Sequence, residues 1–318
     1  MKLIGALNVF CLLAVATASA GQYEPDFTGE RHSKSQVFGD ALSSAVPAVP
    51  ASGPAIASDR AGITEGYNPG LGRTEPPFPL SGTTDKNVFT GNKRGKVTST
   101  KYPWNTIGRL DLPSGGTCTA SLVGPDLILT NAHCVIDKVK QTLVEGSIVF
   151  RPNYTNGTSA YSSVVTFAWG GSNTPSATGS KPGDWAILRL DKRLGDTLGW
   201  LGTKVLPDPR ISMLYVVGYS GDLENGASAY WETGCTITSG MTSYGLYPHN
   251  CSNSRGASGS PMFIFENERP YVIAMHTSEL RYDGDSTYLE VPFSGDNANL
   301  ALSSDAFAWK VMELNKPK

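Results

Sequence analysis

From residue 95 onward, short apolar runs alternate with turn-forming residues. The runs include Ala120 to Val123, Leu127 to Thr130, Ser147 to Phe150, Val164 to Phe167 and Trp185 to Leu190. Beyond these come Leu214 to Val217, Cys235 to Thr238, Met262 to Phe265 and Tyr271 to Met275. Each is short and bounded by Gly, Pro, Asp or Asn, which predicts antiparallel strands in barrels or a sandwich. One helix is expected near the end, about 304–315. There Ser303-Ser304-Asp305 would cap Ala306 to Leu314, with Phe307, Val311 and Leu314 on one face. No internal repeat is visible.

The first 94 residues have a different texture. Lys2 precedes an apolar stretch from Leu3 to Ala16, followed by Ala18-Ser19-Ala20. This pattern predicts a secretory signal peptide at 1–20, cut before Gly21. A buried N-terminal helix fits poorly because the stretch lacks a polar face. No Cys follows the cut closely, so no lipid or membrane anchor is expected.

Residues 41 to 80 carry seven prolines (47, 50, 54, 69, 76, 77 and 79) among Ala, Ser and Gly. Such a segment buries little apolar surface and is expected to be extended or disordered. It leads to the dibasic pair Lys93-Arg94, so 21–94 reads as a propeptide, or else as an unprocessed tail. The remaining unit is 95–318.

Composition supports this division. Of 318 residues, 35 are Gly and 21 Pro, and only 17% are charged, which suits a turn-rich all-β chain better than a helical bundle. A net charge of −2 marks no nucleic-acid partner. Mean hydropathy is −0.18, and the body has no apolar run of about 18 residues, so no membrane span and a soluble protein are expected.

Cys11 would leave with the signal, and Cys118, Cys134, Cys235 and Cys251 remain. Four cysteines allow three pairings. The gaps 134 − 118 and 251 − 235 are both 16, which suggests two local disulfides, consistent with an oxidising, extracellular destination. A zinc site is the weaker reading, since neither C-x-x-C nor H-x-x-x-H occurs. Asn153-Tyr-Thr, Asn156-Gly-Thr and Asn250-Cys-Ser are candidate glycosylation sequons.

Three histidines lie beyond residue 94: His133, His249 and His276. His133 sits in Thr-Asn-Ala-His-Cys, directly after an apolar strand. Asp184, 51 residues on (184 − 133), opens the apolar strand Trp185 to Leu190. Ser258, a further 74 residues on (258 − 184), lies in Gly256-Ala-Ser-Gly-Ser-Pro261. A serine hydroxyl is a poor nucleophile until an imidazole takes its proton, and a buried carboxylate fixes that imidazole's tautomer. Flanking glycines let backbone N–H groups converge on an oxyanion.

These motifs, in the order His, Asp, Ser, resemble the chymotrypsin-like serine proteases. The rival serine-hydrolase order is Ser, acid, His, and Ser260 breaks its G-x-S-x-G motif. Lys96 to Trp104, Gly195 to Gly202 and Ala274-Met-His276-Thr277 further resemble the glutamyl endopeptidase branch. The resemblance spans roughly 95 to 315. It implies an all-β fold of two six-stranded antiparallel barrels, about 95–205 and about 206–300, with a C-terminal helix. The Cys118–Cys134 bridge fits the same family.

The resemblance also assigns roles. Ser258 would be the nucleophile, His133 the general base and acid, and Asp184 the group that orients His133. The N–H groups of Gly256 and Ser258 would form the oxyanion hole. His276 would meet a substrate glutamate, Thr277, Ser278 and Glu279 would continue the pocket wall, and Ser252 and Asn253 would lie near its floor. Glu279 departs from the Gly common there and would repel an acidic side chain. His249, beside Pro248, is expected on a solvent-facing loop.

The expectation is therefore a secreted, monomeric serine endopeptidase acting on protein or peptide substrates, with no cofactor or metal. The alternative is a non-catalytic protease homologue serving as a binding module.

Overall fold

The apolar runs pair into two antiparallel sheets in the computed structural model, which describes residues 30–33, 63–69, 89, 93–171, 183–238, 246–280 and 298–316. The expected signal peptide and most of the expected propeptide lie outside those residues. In chain order the first strands are β1 (Glu30–Ser33), β2 (Ile63–Thr64), β3 (Gly95–Lys96), β4 (Ile107–Asp111) and β5 (Thr117–Leu122). Next come β6 (Leu127–Thr130), β7 (Val149–Pro152), β8 (Ser163–Gly170) and β9 (Ala186–Leu190). The second half supplies β10 (Gly202–Lys204), β11 (Ser212–Gly218), β12 (Tyr230–Thr236) and β13 (Tyr247–His249). It ends with β14 (Pro261–Glu266), β15 (Arg269–Leu280) and β16 (Ala298–Ser303).

The first sheet runs β1-β8-β7-β4-β5-β6-β9, and pairing of β8 with β9 closes six of these strands into a barrel. Its interior is filled by residues such as Leu110, Leu122, Ile128, Phe150 and Leu188, all fully buried. Closure removes the sheet edges that would otherwise present unpaired backbone groups.

The second sheet runs β13-β16-β15-β14-β11-β12-β3. Its ends approach each other: Ile237 and His249 form an isolated bridge, with Thr238 N–H donating to Pro248 O at 3.1 Å and Asn250 N–H to Thr236 O at 3.2 Å. The ends of this second sheet thus meet through a bridge rather than a ladder, where the first sheet closes by pairing β8 with β9.

A shared apolar cluster joins the two sheets, including Trp104, Leu129, Trp185, Phe263, Met275 and Phe307. The C-terminal helix enters it. A 3-10 turn at Ser304–Ala306 breaks at Phe307, and α-helix follows over Ala308–Leu314. Ser304 does not cap this helix; its hydroxyl donates to Lys204 O at 2.7 Å.

Both disulfides form as the equal spacing suggested, Cys118–Cys134 and Cys235–Cys251. Part of the expected propeptide is folded onto the body. β2 pairs with β10, and Tyr67 exchanges two backbone bonds with Trp200 at 2.9 Å. Of the three sequon asparagines, Asn156 is exposed, whereas Asn250 accepts Thr236 N–H at 2.6 Å.

Candidate active site

Strand register explains how His133 and Asp184 meet. β6 and β9 are neighbours with Thr130 opposite Ala186, so the residues after β6 lie beside those before β9. Asn131 fastens this junction by donating its side-chain amide to Asp184 O at 2.8 Å. His133 follows in a single helical turn, Ala132–Val135. Its backbone N–H reaches Asp184 Oδ1 at 2.8 Å, and its Nδ1 lies 2.7 Å from Oδ2. A carboxylate accepts, so Nδ1 carries the proton and Nε2 is left as the base.

Thr277 completes the carboxylate's shell, donating its hydroxyl to Asp184 Oδ2 at 2.6 Å. The Asp184 side chain is 3% exposed, the His133 ring 30%. Burial alone would raise the Asp184 carboxyl, but the His133 charge and the bonds from His133 and Thr277 outweigh it and hold it below its ordinary value. The Cys118 and Cys134 sulfurs also lie near His133, but their disulfide leaves no thiolate to ligate a metal.

Ser258 lies between two glycines in left-handed conformations, Gly256 at φ +93° and Gly259 at φ +88°. A Cβ on Gly256 would fall 2.4 Å from Tyr219 O, and one on Gly259 2.1 Å from Thr119 O. Backbone at Tyr219, just after β11, and at Thr119 on β5 of the other sheet therefore presses against the serine turn and leaves room only for glycine. Thr119 on β5 is the clasp. Its N–H donates to Ser258 O at 2.8 Å and its hydroxyl to Gly256 O at 2.9 Å, while it accepts Tyr219 N–H at 3.0 Å. Thr119 gave no signal in the sequence, where it reads as one more β-branched strand residue.

His276 lies on β15 behind Ser258. Its carbonyl accepts Gly259 N–H, and its N–H donates to Ser260 O, both at 3.0 Å. β15 carries a register shift between His276, opposite Ala301, and Ser278, opposite Leu300. This bulge inserts Thr277 as an extra residue, which frees its side chain to reach Asp184. The same shift places Glu279, opposite Asn299, on the His276 side of the strand two positions along.

His249 is not solvent-facing, as expected, but fully buried on β13, because that strand pairs with β16 and closes over it. Its Nε2 is 3.2 Å from His276 Nδ1. Burial drives both rings toward the neutral form: His276 falls to about 3, first by desolvation and then by the nearby His133 charge. His249 falls well below its ordinary value through desolvation and His276, against a smaller opposing effect of the Leu300 carbonyl. Cys251 N–H donates to His249 Nδ1 at 3.2 Å. Assigned from this network, neutral His249 carries its proton on Nε2 and donates to His276 Nδ1. Neutral His276 then bears its own proton on Nε2.

Ser252 and Asn253 are buried beside the serine turn. Among the described residues, Ser252 Oγ and Asn253 Nδ2 find no hydrogen-bond partner. Thr277 sends its hydroxyl to Asp184 rather than along the expected pocket wall. Ser278 and Glu279 are partly buried on β15.

Residues 118–275 match the trypsin-like peptidase domain family, a span that contains His133, Asp184 and Ser258. With this fold and this site, the chain resembles the chymotrypsin-like serine proteases. Within that class its similarity is to glutamyl endopeptidases. It is 28% identical over 215 residues to a glutamyl endopeptidase of Bacillus licheniformis, covering 63% of this chain and 63% of that protein's length. A solved Glu endopeptidase in complex with MPD shares the fold at TM-score 0.57 and 22% identity, covering 73% of this chain and all of that one. The helices of the described residues include none long and apolar enough to cross a membrane.

Proposed function

We propose that this chain is a secreted serine endopeptidase that cleaves peptide bonds through an acyl-enzyme, with a preference for glutamate before the scissile bond. The observation that carries the catalytic part is the buried Asp184 carboxylate on His133 Nδ1, in a chain whose serine turn is held by glycines and Thr119. His133 Nε2 takes the Ser258 proton as Oγ bonds to the substrate carbonyl carbon. The N–H groups of Gly256 and Ser258 receive the negative oxygen. His133 then gives the proton to the leaving amine, and water repeats the sequence to release the acid. Removing one oxyanion donor from such a site costs about 3 kcal/mol in the transition state.

The glutamate preference is supported by the polar groups on the segments that flank the serine turn. A neutral His276 with its proton on Nε2 offers a hydrogen bond to a carboxylate without the cost of burying a second charge. Ser252 Oγ and Asn253 Nδ2 are further polar atoms at the same level of the chain. Glu279 supports a second reading, a preference for basic side chains, because it shares the His276 side of β15. A non-catalytic binding role has less support, since none of the three reactive residues is replaced.

Digestion of a peptide library by the processed protein, with Ser258→Ala beside it, tests all three. Cuts after Glu that vanish in the variant support the first reading, and cuts after Lys or Arg support the second. Absence of serine-dependent cleavage leaves the binding module.

A further inference from the structure

The segment expected to be discarded contains a residue built into the floor under the serine turn. Arg94 is 3% exposed. Its guanidinium forks onto Asp222, Nη1 to Oδ1 at 3.1 Å and Nη2 to Oδ2 at 2.5 Å, with both side chains almost wholly covered. Ser254 donates its hydroxyl to the same carboxylate, and Asp222 N–H returns a bond to Ser254 Oγ at 3.2 Å.

Ser254 begins the turn that makes the oxyanion hole. Ala257 N–H donates to Ser254 O at 2.9 Å, enclosing Gly256, and Gly221 N–H donates to Arg255 O at 2.6 Å. A second acid lies close by. Glu232 accepts Ser252 N–H at 2.6 Å, and burial lifts its carboxyl to about 7 against the pull of Ser252 and Arg94. Arg94 is therefore a cation between two acidic groups that hold the stretch from Ser252 to Ala257 from below.

The backbone around Arg94 is equally committed. Gly95–Lys96 pairs with Tyr230–Trp231, and Val97 N–H donates to Ala229 O at 2.9 Å. A Cβ on Gly95 would lie 2.7 Å from the Trp231 ring, so the chain passes directly over the indole. Upstream, Phe89 is buried as well. A processing protease must draw its target peptide into its own cleft, and in the folded chain Arg94 is buried and Gly95 is already paired in β3.

We propose that Arg94 is a positioning residue of the active enzyme, holding the Ser254–Ala257 turn through Asp222, and that the mature chain starts upstream of Phe89 rather than at Gly95. Removing residues 1–94 would take the guanidinium away and leave two buried acids without it. An uncompensated buried charge is far costlier than the intact pair.

The proposal rests on the endopeptidase reading, and the experiment separates the two. The full chain is expressed and left to mature, its reactive species is tagged at Ser258 with a fluorophosphonate, and the N-terminus of the tagged chain is sequenced. Retention of Arg94, with a start before Phe89, is the expected result, and a start at Gly95 overturns the proposal. A wild-type chain that neither labels nor cleaves peptides would instead remove the endopeptidase reading.

The variants Arg94→Gln, Arg94→Lys and Asp222→Asn are then compared, each checked for maturation by mass and for folding by circular dichroism. Arg94→Gln and Asp222→Asn should each lower kcat by about tenfold or more with KM changed little, and Arg94→Lys, which keeps the charge but not the fork, should recover part of the loss. Asp222→Asn leaves the dibasic sequence intact, so its effect is independent of processing. An unchanged kcat in folded, matured Arg94→Gln and Asp222→Asn overturns the proposal.

Discussion

The molecule holds two histidine pairings a short distance apart, and they are opposites. His133 leans on a carboxylate, keeps part of its ring open, and is placed to accept a proton and hold the resulting charge. His276 leans on another imidazole, is wholly buried, and is held neutral. One residue type thus does two jobs, and its surroundings decide which. A carboxylate makes His133 a base, whereas burial keeps His276 neutral and its bond with the second imidazole sets its tautomer. Thr277 and His276 are adjacent on one bulged strand, so the same irregularity serves both pairings.

The contrast is broken most severely by Asp184→Asn. The amide keeps the shape but donates where the carboxylate accepted, which imposes the wrong tautomer on His133. Peptidase kcat should fall by roughly 10⁴ with KM nearly unchanged, measured with a peptide substrate near pH 8.

Acid unfolding compares the two pairings directly. The folded His276 value of about 3 lies below the ordinary 6.5, so the unfolded chain binds more protons between those values. Stability contributed by this pair should therefore fall as pH drops from about 6.5 toward 3, by about 2–4 kcal/mol. Asp184, also depressed, acts only lower. Its contribution is complete above its ordinary 3.8 and fades as pH falls through its folded value. Glu232 tilts the other way, losing stability as pH rises from 4.5 to about 7. The test is thus a difference: urea unfolding of wild type against the His249→Asn, His276→Asn double variant from pH 7 to 4. Parallel curves would refute the assignment.

Thr277→Val removes one donor from Asp184 and keeps the volume. A loss of about 1 kcal/mol predicts kcat lowered by about fivefold to tenfold in steady-state kinetics. The smallest change expected is a gain. Glu279→Gln should raise kcat/KM on glutamyl peptides by about twofold to fivefold, and more at low salt. A fall would point to a structural part for that carboxylate.

Much of this was legible in the chain because the chemistry is local in sequence. Leu127-Ile-Leu-Thr130 reads as a strand, and it ends where His133 must sit. Each of the nine apolar runs overlaps a strand for the same reason, though four extend past a strand end by one or two residues. β4 was missed because Gly108 and Arg109 interrupt its apolar alternation, and β13 because three residues around Pro248 carry no periodic signal. Missing β13 also misplaced His249, whose burial depends on β16, some 50 residues further along (299 − 249). Thr119 and Arg94 stayed hidden for a similar reason. Their partners are distant in sequence, at 256 to 258 and at 222, and no local pattern encodes such contacts.

The strand formed by Ile63 and Thr64 has a kinetic consequence. Thr64 bonds Thr203 at 2.8 Å, and Glu65 accepts from Tyr271 at 2.7 Å and from Arg269 at 2.8 Å, all within one continuous chain. While the chain is uncut, this contact is intramolecular and insensitive to protein concentration. A cut anywhere between residues 69 and 89 would turn it into a complex of two pieces, subject to mass action. Dilution would then serve as the release step, and the interval before the small fragment departs would be set by its off-rate rather than by any protease.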